Sequence, residues 1–188
     1  PELTVLALMG DGDGSTIGGN HLIHAARRNV DITAIVVNNL NYGMTGGQYS
    51  GTTPQDYITS TSPYGHVEKG FDLCKLVAAA GAPYVARSTV YNIVQLQKFI
   101  TEGIKKRGFS LIEVISPCPT HFGRRNDMRT APQMLRWIKD NTLTIAQAEK
   151  LSDEELENKY VVGKFVDREQ EDYSTKYEKV REIAQQKA

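Results

Sequence analysis

Four apolar runs in this 188-residue chain are continuous rather than alternating: Leu3–Met9, Ile32–Asn38, Tyr84–Arg87 and Phe109–Ile115. A strand covered on one face is apolar at every second position, whereas a strand covered on both faces is apolar throughout. Helical patterns lie between the runs. Thr16–Arg28 carries Ile17, Leu22, Ile23 and Ala26 on or near one face. Lys69–Ala80 is rich in Leu and Ala and is stopped by Gly81-Ala82-Pro83. Asn92 can cap a helix through Lys106 that Gly108 ends. This β-α-β-α order predicts an α/β fold, a doubly wound, mainly parallel sheet with helices on both faces.

The length suits one ordinary domain of about 100–200 residues. Lys+Arg and Asp+Glu each number 22, so no net field draws the chain to nucleic acid or an anionic membrane, and neither is expected as a partner. Two cysteines, Cys74 and Cys118, build neither a disulfide scaffold nor a four-thiolate metal site by themselves. No apolar run approaches the roughly 20 residues of a membrane span. Pro1-Glu2 leads straight into the first strand with no initiator Met or signal-peptide pattern, which suggests a fragment of a longer protein.

Two segments break the rhythm. Asn39–His66 is rich in Gly, Thr, Ser, Tyr and Pro, and a loop of that length is usually functional or mobile. Ser116–Pro132 follows the last strand and carries Cys118, His121, Arg124 and Arg125. Residues 1–130 therefore form the α/β domain, and 131–188 a C-terminal helical extension packing on it or on a partner subunit. In that extension Pro132–Asp140 reads as a helix holding Trp137. Ser152 with Glu155 resembles a capping box opening another, and Val161–Val166 is a small strand candidate. In Asp167–Gln186 an apolar stripe of Tyr173, Tyr177, Val180 and Ile183 would seat a helix either on a partner or on its own domain.

Gly10-Asp11-Gly12-Asp13-Gly14 lies between the first strand and the first helix. A dinucleotide fingerprint needs a third glycine where Ser15 or Ile17 stands. A calcium loop needs Gly and Glu where Thr16 and Leu22 stand. What remains is a carboxylate at a strand's carboxyl end beside a turn whose N–H groups can face a phosphate. A divalent cation between Asp11 and the phosphate removes their repulsion, and a second oxygen ligand should come from the end of a neighbouring strand. Asn38-Asn39 ends the second strand, with 25 residues between Gly12 and Asn38.

Gly10-Asp11-Gly12, that spacer and Asn38-Asn39 resemble the thiamine diphosphate motif. Asn41-Tyr42-Gly43-Met44-Thr45-Gly46-Gly47-Gln48 narrows the likeness to the β subunits of 2-oxoacid:ferredoxin oxidoreductases. Ile17-Gly18-Gly19-Asn20-His21, His24-Ala25-Ala26-Arg27-Arg28-Asn29 and Ser116 to Asn126 resemble the 2-oxoglutarate branch. The likeness covers about Leu3–Asn126.

The resemblance implies the thiamine diphosphate-binding fold, pyrophosphate-type domain, in residues 1–130. It implies that Asp11, the Asn39 side chain and the Asn41 carbonyl hold Mg2+. Gly10, Gly12, Asp13, Ile17 and Thr45 would line the cofactor. His21 and His24 read either as pocket residues or as helix-packing or solvent-facing ones. Cys118 would be the fourth ligand of a [4Fe–4S] cluster whose other cysteines lie upstream of the motif, so it serves only in the intact protein. Arg124 and Arg125 are candidates for the distal carboxylate of a dicarboxylic substrate, with a surface or subunit contact as the alternative. Gln48 and Tyr49 would lie where substrate or partner approaches, and Cys74 reads as core.

The implied activity is coenzyme A-dependent oxidative decarboxylation of a 2-oxoacid, 2-oxoglutarate above all, with electrons passed to ferredoxin. The setting would be a cytoplasmic heteromer in which an α subunit carries the pyrimidine-binding domain. No catalytic acid or base is expected in this chain, so alone it should be half an active site. The alternatives are another thiamine diphosphate-dependent 2-oxoacid decarboxylase half, or a non-catalytic module keeping the fold.

Overall fold

The computed structural model describes residues 3–187. Strands β1 (Leu6–Gly10), β2 (Thr33–Asn38), β3 (Tyr84–Thr89) and β4 (Ser110–Ile115) pair in parallel in the spatial order β1-β2-β4-β3. β6 (Tyr160–Asp167) joins β3 antiparallel, and β5 (Thr142–Thr144) pairs with β6 at the far edge. Among the described residues the α-helices are α1 (Gly19–Arg28), α2 (Leu73–Ala80), α3 (Ile93–Lys105), α4 (Ala131–Asp140), α5 (Ile145–Ala148) and α6 (Tyr173–Gln186).

The sheet separates two apolar layers. On one face Leu22 and Ala26 of α1 and Leu73 and Val77 of α2 bury against Ala34, Val36, Val85 and Leu111. On the other, Leu96 and Phe99 of α3 bury against Tyr84, Ala86, Ile112 and Val114. β3 and β4 are buried at every position, which is why their runs do not alternate. A third cluster gathers Leu40, Cys118, Phe122, Met128 and Met134, and ties the two long loops to α4.

Several expectations are corrected. The first strand is not buried on both faces: it lies at the sheet's edge, and Leu6 and Leu8 point outward, Leu8 being 72% exposed. The first helix does not run unbroken from Thr16, because Asp13–Ile17 forms a π-helical turn before α1. The second starts at Leu73 rather than Lys69, where the Asp72 carboxylate accepts from Lys75 N–H and caps it. The Ser152–Glu155 capping bonds form, but turns follow them instead of a helix. Within segment 131–188 the strand candidate Val161–Val166 is longer than expected, running from Tyr160 to Asp167, and it extends the sheet. Tyr173, Tyr177, Val180 and Ile183 of α6 stay exposed. Among the described residues no helix is long and apolar enough to cross a membrane.

Candidate functional site

Parallel pairing of Gly10 with Val37 brings the carboxyl ends of β1 and β2 side by side. Asp11 leaves the first and Asn38-Asn39 the second. The Asp11 carboxylate is buried and held from two directions. Oδ1 accepts the Asn39 N–H at 3.2 Å, and Oδ2 accepts the Thr52 hydroxyl at 2.8 Å and the Ser50 hydroxyl. Burial pushes its pKa above the ordinary carboxylate value, while the Ser50, Thr52 and Asn39 bonds pull the other way.

The Asn39 side-chain oxygen lies 3.1 Å from Asp11 Oδ1, 2.6 Å from the Asn41 carbonyl oxygen and 3.2 Å from Asn41 Oδ1. One long contact from the Asn41 N–H, at 3.4 Å, is all that donates to it. An inverted amide, its NH2 turned inward, would satisfy this crowding. So would a hard cation among the oxygens: adjacent ligands around octahedral Mg2+ stand about 2.9 Å apart. The donor set of one carboxylate, one amide oxygen and one backbone carbonyl suits that ion. Leu40, between the two asparagines, has a left-handed backbone (φ 71°), and this turns the Asn41 carbonyl toward Asn39.

Gly12 cannot be replaced without displacement, because a Cβ there would stand 2.2 Å from Tyr42 Cε1. The Tyr42 hydroxyl donates to the Gly12 carbonyl at 3.0 Å. The turn that follows has no side-chain cap at its start, and neither has α1. Uncapped N–H groups at a helical N-terminus suit an anion. Asp13 bends back so that Oδ2 accepts the Gly10 N–H at 3.0 Å.

The remaining residues divide in two. Cys118 reaches the cluster, accepting from Asn41 Nδ2 at 3.8 Å. Arg125 is half-buried beside Gly47, with Nη1 donating to the His121 carbonyl at 3.4 Å. Ile17, His21, His24, Thr45 and Arg124 are solvent-exposed, and Thr45 donates to Gln48 Oε1 at 2.7 Å within its own turn. Tyr49 packs on the His66 ring with centroids 4.7 Å apart.

Sequence reasoning missed Ser50, Thr52, Thr53, Arg87 and Glu113. Thr52 and Asn38 connect Asp11 to a buried ion pair: Asn38 Nδ2 donates to Glu113 Oε1 at 2.8 Å, and Arg87 Nε to Glu113 Oε2 at 2.7 Å. Arg87 Nη2 also donates to Asp72 Oδ1 at 2.5 Å. Asp72, Cys74 and Glu113 come together here, but Arg87 bonds both carboxylates, so the group is an ion-pair cluster. One signal was available: Glu113 is the one charged residue of β4. A cleft of 390 Å3 opens behind these residues, lined by Thr52, Asp72, Arg87 and Lys159 among others, and Asp11 is not on its wall.

Residues 1–114 match the family model described as the thiamine pyrophosphate enzyme C-terminal TPP binding domain. The 2-oxoglutarate synthase subunit KorB of Methanothermobacter thermautotrophicus is 54% identical over 170 residues, which are 90% of this chain and 59% of that protein. KorB of Methanocaldococcus jannaschii is 47% identical over 182 residues, 97% of this chain and 67% of the relative. A solved 2-oxoglutarate:ferredoxin oxidoreductase from Magnetococcus marinus, with 2-oxoglutarate, coenzyme A and succinyl-CoA bound, superposes with a TM-score of 0.78 at 28% identity. That match covers 95% of this chain and 62% of that one. The chain thus spans 59% of the length of the first of these curated relatives.

Proposed function

This chain belongs to the thiamine pyrophosphate enzymes, among the β subunits of the 2-oxoacid:ferredoxin oxidoreductases, and on that premise we propose that it is the thiamine diphosphate- and Mg2+-binding core of such a subunit. The whole enzyme would carry out coenzyme A-dependent oxidative decarboxylation of 2-oxoglutarate with ferredoxin as electron acceptor. The observation that carries this reading is the convergence of the Asp11 carboxylate, the Asn39 side-chain amide and the Asn41 carbonyl at the ends of β1 and β2.

Bound thiamine diphosphate supplies the electron sink for decarboxylation, and the protein supplies binding and orientation. Asp11 Oδ1, Asn39 Oδ1 and the Asn41 carbonyl are the groups that would hold Mg2+. The uncapped N–H groups after Gly12 would receive the diphosphate. Ser50 and Thr52 keep Asp11 Oδ2 occupied, so Oδ1, which accepts the Asn39 N–H alone, is the oxygen that would meet the metal. Arg125 and Arg124 would meet the distal carboxylate of the substrate.

Cys118 would contribute one thiolate to a [4Fe–4S] cluster. One thiolate does not hold such a cluster, and Cys74 is fully buried and bonded to Glu113, so these two cysteines do not make the ligand set. In this reading the α subunit would supply the general acid or base, and the exposed apolar side chains of Ile17 and Met44 close to these loops suit its approach.

Calorimetric titration of the chain with thiamine diphosphate and Mg2+ tests the reading. Saturable binding that needs both components is expected. Absence of binding, alone and with the α subunit, would overturn it.

A further inference from the structure

Asn39 and Asn41 act together because Leu40 between them holds a left-handed backbone, which is costly for a branched, fully buried side chain. Two hydrogen bonds hold that residue. Its N–H donates to Asn38 Oδ1 at 3.1 Å, and its carbonyl accepts the Thr53 hydroxyl at 2.7 Å. The Asn38 amide is oriented from both ends, its Oδ1 also accepting the Thr52 hydroxyl at 3.0 Å and its NH2 being held from below. Nδ2 donates to Glu113 Oε1 at 2.8 Å, and Glu113 is in turn fixed by Arg87 at 2.7 Å. All three side chains are buried.

We infer that Glu113 is a positioning residue for the cation-binding turn, acting through the Asn38 amide on Leu40. The inference rests on the cation-site reading given above. A buried ion pair is weak evidence of stabilisation, since apolar residues of like volume often serve as well. This pair has a directional task instead, because it dictates which end of the Asn38 amide points upward. In Glu113→Gln the new amide must turn its oxygen to Arg87 and its NH2 to Asn38. Asn38 then either faces donor to donor or inverts, and inversion sets its own NH2 against the Leu40 N–H. In Asn38→Asp two carboxylates face each other. In the double variant Asn38→Asp/Glu113→Gln the Gln NH2 donates to Asp, the other Asp oxygen still accepts from Leu40, and the total charge is unchanged.

The test is titration of the chain with Mn2+ in the presence of thiamine diphosphate, followed by electron paramagnetic resonance, with Mg2+ and Ca2+ as competitors and thermal unfolding as a control. Each single variant should bind Mn2+ about tenfold or more weakly, since a misdirected buried donor is costly. Each should lose more of its Mg2+ than of its Ca2+ affinity, because Mg2+ demands the stricter geometry. The double variant should recover both. Thr53→Val, which leaves Glu113 untouched, should repeat the selectivity loss and keeps the test open if a single variant does not fold. Folded variants with unchanged affinity and selectivity would overturn the inference while leaving the cation site standing. A wild-type chain that binds no Mn2+ with the cofactor would overturn the site and this inference with it.

Discussion

The Asn39 side-chain amide stands 3.1 Å from Asp11 Oδ1 at the ends of two adjacent parallel strands, although 27 residues separate them in sequence (12 to 38). With its NH2 turned inward the amide donates to Asp11, and with its oxygen turned inward the pair is set to share a cation. Asp11→Ala and Asn39→Ala should each weaken Mg2+–thiamine diphosphate binding by roughly a hundredfold, the equivalent of about 3 kcal/mol. Calorimetry reads this directly, and unchanged affinity in both variants removes Asp11 and Asn39 from the metal site.

Gly12→Ala places a methyl group inside the Tyr42 ring. The ring must move and give up its bond to the Gly12 carbonyl. A loss of about 1–3 kcal/mol is expected in thermal or urea unfolding, the usual range for overpacking. Gly12→Ala/Tyr42→Ala should lose less than the two single variants added together; strict additivity would count against the contact.

Asp172 caps α6 by accepting the N–H groups of Ser174 and Thr175, and also accepts from Arg107 Nε at 2.6 Å. Burial raises its pKa, but the bonds from Thr175 and Arg107 outweigh burial and hold it well below the usual carboxylate range. A folded pKa below the unfolded one means that the stabilisation is complete above pH of about 4 and is lost as pH falls further. Asp172→Ala should therefore cost about 1–2 kcal/mol near neutral pH. Unfolding curves of wild type and variant should draw together below pH of about 4. Curves that stay parallel to pH 2 would contradict this assignment.

Cys74 and Cys118 should differ in reactivity. Cys74 is fully buried, and burial pushes its thiol well above the ordinary range, with Glu113 and Asp72 pushing the same way. Cys118 is 9% exposed beside Asn41. Brief alkylation of the native chain followed by peptide mapping should label Cys118 first. Labelling of Cys74 at an equal rate would mean that the α2–sheet layer opens.

Trp137 donates Nε1–H to the Tyr57 hydroxyl at 3.1 Å, and Tyr57 stacks on Phe122 with centroids 5.2 Å apart. As the sole tryptophan it reports on this cluster. Phe122→Ala removes a fully buried ring and should cost about 3–5 kcal/mol. A red shift of native-state emission should accompany that loss if the cluster loosens.

The parallel core was legible because β3 and β4 are buried at every position and their apolar stretches, Tyr84–Ala86 and Leu111-Ile112, do not alternate with polar residues. The edge position of β1 was not. An apolar run records that a surface favours covering, and Leu6 and Leu8 look the same on paper whether or not a neighbour is there. Asp11 and Asn39 were legible because strand ends in a parallel sheet gather at one rim. Ser50, Thr52 and Thr53 were not, since they lie in a loop without period and reach Asp11 and Leu40 only through its folding. β6 was legible as a small strand, but not its antiparallel place beside β3, because partner and direction are properties of the assembled sheet.

The rung that pairs Gly10 with Val37 divides the chain into lengths that can drift and lengths that cannot. Residues added where α1 hands over to β2, near Val30 and Asp31, would lengthen the spacer between Gly12 and Asn38 and leave Asp11 and Asn39 where they are. One residue added within either strand would rotate Asp11 or Asn39 to the opposite side of the sheet. The 25-residue interval is thus a by-product of one helix and two turns. A search keyed to its length would pass over relatives in which the same two oxygens meet across a longer or shorter detour.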